Sequence, residues 1–311
     1  MIKPKRLKKG DLIGIISPSS SPDDLSQINS GVKYLESFGY KVIVGKNVGK
    51  ERGYLAGTDG QRLDDLHEMF KNKEVKAIVC VRGGYGATRL LDKINYRLIK
   101  ANPKILIGYS DITALQLAFF QKAGLVTFAG PMLTTNFSNQ IDPFTEENFW
   151  RVVTSNKKIG RIKLPEDDKL IPIRNGSKIG RILGGNLTII GSLMGTAYFP
   201  SMKNRILFLE EVGEAPYRVD RIFNQLRLLK IFEDVSGIIF GAFTDCVESD
   251  LEKSTLSIGE VIEDYLESLK KPIVYNLSHG HIPTLLTIPQ GIRVKLNASR
   301  GFMEFLEGAV S

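Results

Sequence analysis

Between Asp11 and Ala129, short apolar runs alternate with stretches of helical periodicity, an order that leaves few folds open. Strand candidates, most of them rich in Ile, Val and Leu, fall at Asp11–Ser17, Tyr40–Val44, Val75–Val81, Lys104–Gly108 and Val126–Ala129. Between them, apolar residues recur at helical spacing, notably over Asp23–Phe38, Gln61–Asn72 and Asp111–Ala123. Strand–helix alternation predicts a parallel sheet covered on both faces, because parallel strands need crossover helices. Ligands of such sheets bind outside the carboxyl ends of the strands. That rule gathers three loops on one rim: Ser17–Ser21, Arg82–Gly86 and Gly108–Ser110.

The third of these loops carries a chemical signal. Ile105, Leu106 and Ile107 make a buried strand, Gly108 permits a sharp turn, Ser110 sits at its apex, and Asp111 opens a helical stretch. A strand–elbow–helix layout lifts a serine hydroxyl clear of the sheet. It also aims the first helical N–H groups at an oxygen made negative by the serine's attack. Ile112 stands where the Gly-x-Ser-x-Gly pattern of ordinary hydrolases has its last glycine.

Bulk properties narrow the field. A chain of 311 residues is long enough for two cores, and 42% hydrophobic with 24% charged content is ordinary for a globular protein. No apolar run approaches the ~20 residues of a membrane span. The basic N-terminus, Met1 to Asp11, is followed by no signal-peptide core, so a cytoplasmic protein is expected. Cys80 and Cys246 each end an apolar run and read as packing residues. With His67, His279 and His281 as the only histidines, no metal-ligand spacing exists, and neither metal nor cofactor is expected. The net charge of +8 suits an acidic ligand, but its scatter argues against nucleic acid as a partner.

The expected organisation is an N-terminal α/β domain over residues 1–135, a linker over 136–178 and a C-terminal domain over 179–311. The second half reads as helices at Asn186–Tyr198, Tyr217–Phe232 and Ser257–Leu269, with strands at Arg205–Val212 and Gly237–Cys246. Leu286–Glu307 alternates and turns like β-hairpins, with Pro-Gln-Gly and Ala-Ser-Arg-Gly as turns.

A nucleophilic serine needs a base, an orienter for that base and an oxyanion hole. His67 lies within a helix beside charged residues and reads as solvated. His279 and His281 flank Gly280 in a loop after the strand Pro272–Tyr275, and either qualifies as the base. Glu210 and Glu211 end a strongly apolar strand, where a buried carboxylate must be paired. Side chains alternate along a strand, so the two glutamates should face opposite sides. The loop Val81–Arg89 contains Gly83, Gly84 and Gly86 but no Gly-Lys-Ser/Thr, so it is no phosphate loop. Its glycines let a backbone N–H approach a ligand closely, as a second oxyanion donor beside that of Asp111.

Taken together these segments resemble the LD-carboxypeptidase family, serine peptidases that trim murein peptides and include the microcin-immunity hydrolases. The resemblance runs through Gly10–Ser19, Leu55–Leu66, Arg82–Gly86, Gly108–Leu115, Gly184–Leu187, Leu209–Arg221 and Gly280–Gly291. It implies a Ser–Glu–His triad of Ser110, Glu210 and His281, choosing His281 over His279. It also implies a parallel-sheet α/β domain carrying the nucleophile elbow and a smaller β-rich domain supplying Glu210 and His281. The expected reaction is release of terminal D-alanine from murein tetrapeptides, with Gly84 and Asp111 N–H groups as the oxyanion hole. Arg82, Gly83 and Tyr85 are the substrate-binding candidates on the same rim, and a homodimer is expected. Two other readings are detoxification of peptidyl-nucleotide compounds by the same triad, and silent binding of cell-wall peptides.

Overall fold

The computed structural model describes residues 1–165, 169–250 and 252–311. Its first half alternates as the periodicity requires. In chain order come β1 (Leu12–Ile16), α1 (Ser26–Ser37), β2 (Lys41–Val44), α2 (Asp59–Lys71), β3 (Val75–Cys80), α3 (Tyr96–Ala101), β4 (Ile105–Gly108), α4 (Thr113–Ala123) and β5 (Thr127–Ala129). These strands pair in parallel in the order β5-β4-β3-β1-β2. Thr58 starts α2 with a reciprocal capping box to Gln61, which fixes where the chain leaves the rim loop.

The segment read as a linker is more ordered than its polar composition suggested. It forms α5 (Pro143–Thr154), β6 (Gly160–Arg161) and β7 (Ile171–Arg174), while residues 166–168 lie outside the described residues. Trp150 of α5 stacks on Phe38 and Tyr40, with ring centroids 4.9 and 5.0 Å away, so this helix packs on the first sheet's flank.

The rest comprises β8 (Ser177–Asn186), α6 (Leu187–Leu193), β9 (Arg205–Val212), α7 (Pro216–Leu228), α8 (Ile231–Asp234), β10 (Gly237–Thr244), α9 (Ile258–Leu266), β11 (Ile273–Tyr275), β12 (Ile288–Gln290), β13 (Arg293–Asn297) and β14 (Phe302–Phe305). A mixed sheet of eight strands runs β6-β14-β13-β8-β9-β10-β11-β7, with β8 to β11 mutually parallel. The fold is therefore α/β, with a parallel sheet in one unit and a second, β-rich unit.

Two sequence expectations need correction. The helix expected over Tyr217–Phe232 breaks into α7 and α8 at Lys230, which adopts a left-handed φ of 56°. Leu286–Glu307 supplies only one hairpin, β13–β14. The strand β12 instead pairs antiparallel with β5 and becomes the edge of the first sheet.

That exchange knits the two sheets together. Helix α4 is buried at every position from Thr113 to Phe120, as only a helix covered on all sides can be. Its Gln116 donates to the carbonyls of Gly108 and Phe128, both at 2.8 Å. Gln290 of β12 donates to Gln116 Oε1 at 2.8 Å and accepts from the Gly184 N–H of β8 at 3.1 Å. One apolar cluster then continues from Ile78 and Leu106 through Leu115 and Phe119 to Leu183, Leu207 and Leu209.

Candidate active site

Ser110 leaves β4 with φ at 61°, a left-handed conformation that a residue with a Cβ adopts only at a cost of about 1–2 kcal/mol. One 3-10 turn, Ser110–Ile112, separates it from α4, so the helix begins slightly later than its periodicity suggested. The sharp bend is possible because Gly108 carries no side chain: a Cβ there would fall 2.8 Å from Ile112. Ser110 is half-buried, and among the described residues its hydroxyl has no hydrogen-bond partner.

Gly83 lies directly against the serine. A Cβ on Gly83 would sit 2.8 Å from Ser110 Cβ, 3.0 Å from its Oγ and 3.5 Å from the Asp111 nitrogen. Gly84, with φ at 106°, packs instead on Ser20, where a Cβ would lie 2.4 Å from the hydroxyl. Among the described residues the N–H groups of Gly83, Gly84 and Asp111 donate to no acceptor. Two of these unused donors, on Gly83 and Asp111, adjoin the strained serine, and Gly84 follows in the same turn.

The second unit brings a histidine and a carboxylate to that elbow. Glu210, near the end of β9, is 1% exposed. Its Oε2 lies 2.8 Å from His281 Nδ1, while its Oε1 is buried without a partner among the described residues. Gly280 permits the approach, since a Cβ there would stand 3.2 Å from Glu210 Oε2. Thr244 Oγ1 donates to the His281 carbonyl at 3.2 Å, and Ala242 N–H to that of His279 at 2.9 Å. Tyr109, the residue before the serine, packs its ring on His281 with centroids 5.1 Å apart. The residue preceding Ser110 thus packs against the His281–Glu210 pair.

Glu211 points the other way, as strand alternation requires, and it too is buried. It accepts from Asn186 Nδ2 and the Thr188 N–H, each at 2.8 Å, and so secures the start of α6. Burial pushes its carboxyl pKa up, and these hydrogen bonds pull against that. Neither glutamate is the exposed strand end that a charged pair after an apolar run can be.

His279 is buried, with Nδ1 2.7 Å from the Leu286 carbonyl, and burial pushes its pKa down. His67 is not simply solvated: it is half-buried and its Nε2 accepts from the Asn95 N–H at 3.0 Å. Arg82 is partly buried beside the Ser21 carbonyl at 3.4 Å and Asp23 at 3.7 Å, and Tyr85 is exposed against Tyr54. The structure also adds residues that periodicity could not single out. Asp111 accepts from Ser19 and Ala87, and the buried Arg62 of α2 donates to the Pro18 carbonyl and to Asp59. Both Cys80 and Cys246 are buried. Among the described residues no helix is long and apolar enough to cross a membrane.

Comparison with known proteins finds matches in both halves of the chain. Residues 13–130 match the LD-carboxypeptidase N-terminal domain, and residues 179–296 its C-terminal domain. The "probable murein peptide carboxypeptidase" of Bacillus subtilis (strain 168) is 38% identical, covering 96% of this chain and 92% of that protein. The microcin C7 self-immunity protein MccF of Escherichia coli is 31% identical over 94% of this chain and 92% of its own. A structure of MccF in complex with glutamyl sulfamoyl guanosine has a TM-score of 0.91, 29% identity and full coverage of both chains. The muramoyltetrapeptide carboxypeptidase of Oxalobacter formigenes has a TM-score of 0.83 at 27% identity, covering 96% of this chain and 98% of that one. With both family domains matched in order and relatives named as carboxypeptidases, the chain is a peptidase, and it belongs to the LD-carboxypeptidase family.

Proposed function

We propose that this protein is a serine carboxypeptidase that releases terminal D-alanine from murein tetrapeptides. The observation that carries the reading is the 2.8 Å contact between Glu210 and His281 Nδ1, made beside the strained, unpartnered Ser110. A carboxylate on Nδ1 fixes the tautomer in which Nε2 is free to accept a proton.

Ser110 Oγ attacks the carbonyl carbon of the bond between an L-centre residue and D-alanine, and His281 Nε2 takes its proton. The tetrahedral intermediate puts negative charge on the former carbonyl oxygen. The N–H groups of Asp111 and the Gly83–Gly84 turn receive that charge, each donor contributing about 3–4 kcal/mol. His281 then protonates the departing amine of D-alanine, while Glu210 stabilises the imidazolium. Water, deprotonated by the same histidine, hydrolyses the acyl-enzyme. Arg82 on the rim is a fitting partner for the terminal carboxylate, as a planar fork that binds carboxylates bidentately.

One observation favours a second reading. The structural likeness to MccF bound to glutamyl sulfamoyl guanosine suits an acyl-sulfamoyl or peptidyl nucleotide as the acyl donor. Mass spectrometry of a defined panel separates the two. Incubation with murein tri-, tetra- and pentapeptides and with an aminoacyl sulfamoyl nucleoside should shorten the tetrapeptide by one D-alanine. Cleavage of the nucleoside conjugate with the tetrapeptide left intact would move the assignment to detoxification, and binding without turnover of either to a silent receptor.

A further inference from the structure

Asp111 lends more to this site than its N–H. Its carboxylate is 1% exposed, and a single oxygen makes all of its bonds: Oδ2 accepts from Ser19 Oγ at 2.6 Å and from the Ala87 N–H at 2.8 Å. Oδ1 is buried without a partner among the described residues. Burial pushes the carboxyl pKa up, so the ionised form costs the fold stability at neutral pH. The hydrogen bonds from Ser19 and Ala87 and the charge of the buried Arg62 pull against that cost.

The two donors come from the loops after β1 and β3, both on the β3 side of the elbow. Ser19 belongs to the loop after β1, Ala87 closes the glycine loop after β3, and Asp111 follows the serine after β4. One oxygen therefore ties all three strand ends together. The neighbouring serine completes the fastening. Ser20 N–H donates to the Gly83 carbonyl at 3.3 Å, and Ser20 Oγ accepts from the Tyr85 N–H at 3.1 Å. The unused N–H groups of Gly83 and Gly84 lie within the segment fastened at Gly83, Tyr85 and Ala87. Beneath it, Gly86 leaves room for the buried Arg62, whose Nη1 would lie 2.6 Å from a Cβ at that position.

We propose that the Asp111 carboxylate is a positioning residue, clamping the Gly83–Gly84 donors at the distance from Ser110 that an oxyanion requires. A misplacement of about 1 Å costs roughly 10²-fold in rate, so the clamp governs turnover rather than binding. This rests on Ser110 being the nucleophile, and the test separates the two claims.

A fluorophosphonate reads the oxyanion hole without any peptide, because its phosphoryl oxygen uses the same donors. The adduct is first mapped in the wild-type protein. Asp111→Ala removes both bonds, whereas Asp111→Asn keeps a carbonyl oxygen able to accept both. Asp111→Ala is expected to lower both the phosphonylation rate and kcat on tetrapeptide by about 10²-fold, with KM within about threefold. Asp111→Asn is expected to return within about tenfold of wild type. Wild-type rates in Asp111→Ala, or Asp111→Asn as slow as Asp111→Ala, would overturn the clamp while leaving the nucleophile intact. An adduct away from Ser110 would overturn both claims. Should Asp111→Ala fail to fold, Ser19→Ala removes one of the two bonds. It should then cost about tenfold in kcat at constant KM, and an unchanged kcat would overturn the proposal.

Discussion

Two histidines one glycine apart meet opposite surroundings. His281 keeps a polar face and takes a buried carboxylate on Nδ1, while His279 is sealed against Phe208 and the Leu286 carbonyl. Loop residues have no period to decide between them, so the residues alone left both open and the contact with Glu210 distinguishes them. Glu210→Gln should keep the fold but present the wrong hydrogen-bonding partner to Nδ1. A kcat fall of roughly 10³–10⁴-fold is expected from steady-state D-alanine release, and an unchanged kcat would remove Glu210 from the mechanism. For His279 the folded pKa lies below the ordinary value of 6.5. The unfolded chain therefore binds a proton that the folded one refuses, and stability present above pH 6.5 is lost as pH falls toward the folded pKa. Melting temperatures taken from pH 7 to pH 5 should show a shallower decline in His279→Gln than in wild type; equal slopes would place the acid sensitivity elsewhere.

The elements themselves were legible wherever a period was long enough to read. All five parallel strands of the first sheet sit where apolar runs predicted; β1, β3 and β4, buried along most of their length, carry the near-continuous apolar runs that a strand covered on both faces needs, whereas β2 is an exposed edge. The three residues of β12 carry no such pattern, so Ile288–Gln290 looked like half of a hairpin until its pairing with β5 was visible. The α7–α8 break was hidden too, since Lys230 takes its left-handed turn without a glycine or proline to mark it. Glycines in β8 mark a close approach that no periodicity singled out. A Cβ on Gly184, whose φ is 154°, would fall 1.8 Å from the Phe208 carbonyl oxygen, leaving β9 no room to stay in register. Gly184→Ala should destabilise the protein by about 3 kcal/mol or more in denaturant unfolding; a loss under about 1 kcal/mol would mean that β8 and β9 can separate freely.

At the scale of the molecule, neither sheet is made from one continuous stretch of chain. The first takes its edge from residues 288–290, and Gln290 joins it through Gln116 and Gly184 to the second. The ends of the chain close on each other as well: Arg6 N–H donates to the Ser311 carbonyl at 3.0 Å, and Lys3 meets Glu307 at 2.6 Å. A fragment of residues 1–135 would expose the β5 edge and one face of α4, which the whole protein buries from Thr113 to Phe120. It should aggregate or melt without a cooperative transition in circular dichroism, and a sharp transition would show that the first sheet stands alone. Sequence suggested that a serine in one half needs partners from the other, but not how they meet, because sheet exchange and the Tyr109–His281 contact leave no periodic trace. The decisive measurement is the rate of D-alanine release from a murein tetrapeptide by wild type, Ser110→Ala and His281→Ala, all with preserved melting temperatures. Release by wild type and a loss of at least about 10³-fold in both variants is expected; release by Ser110→Ala at a wild-type rate would contradict a serine mechanism shared between the two halves.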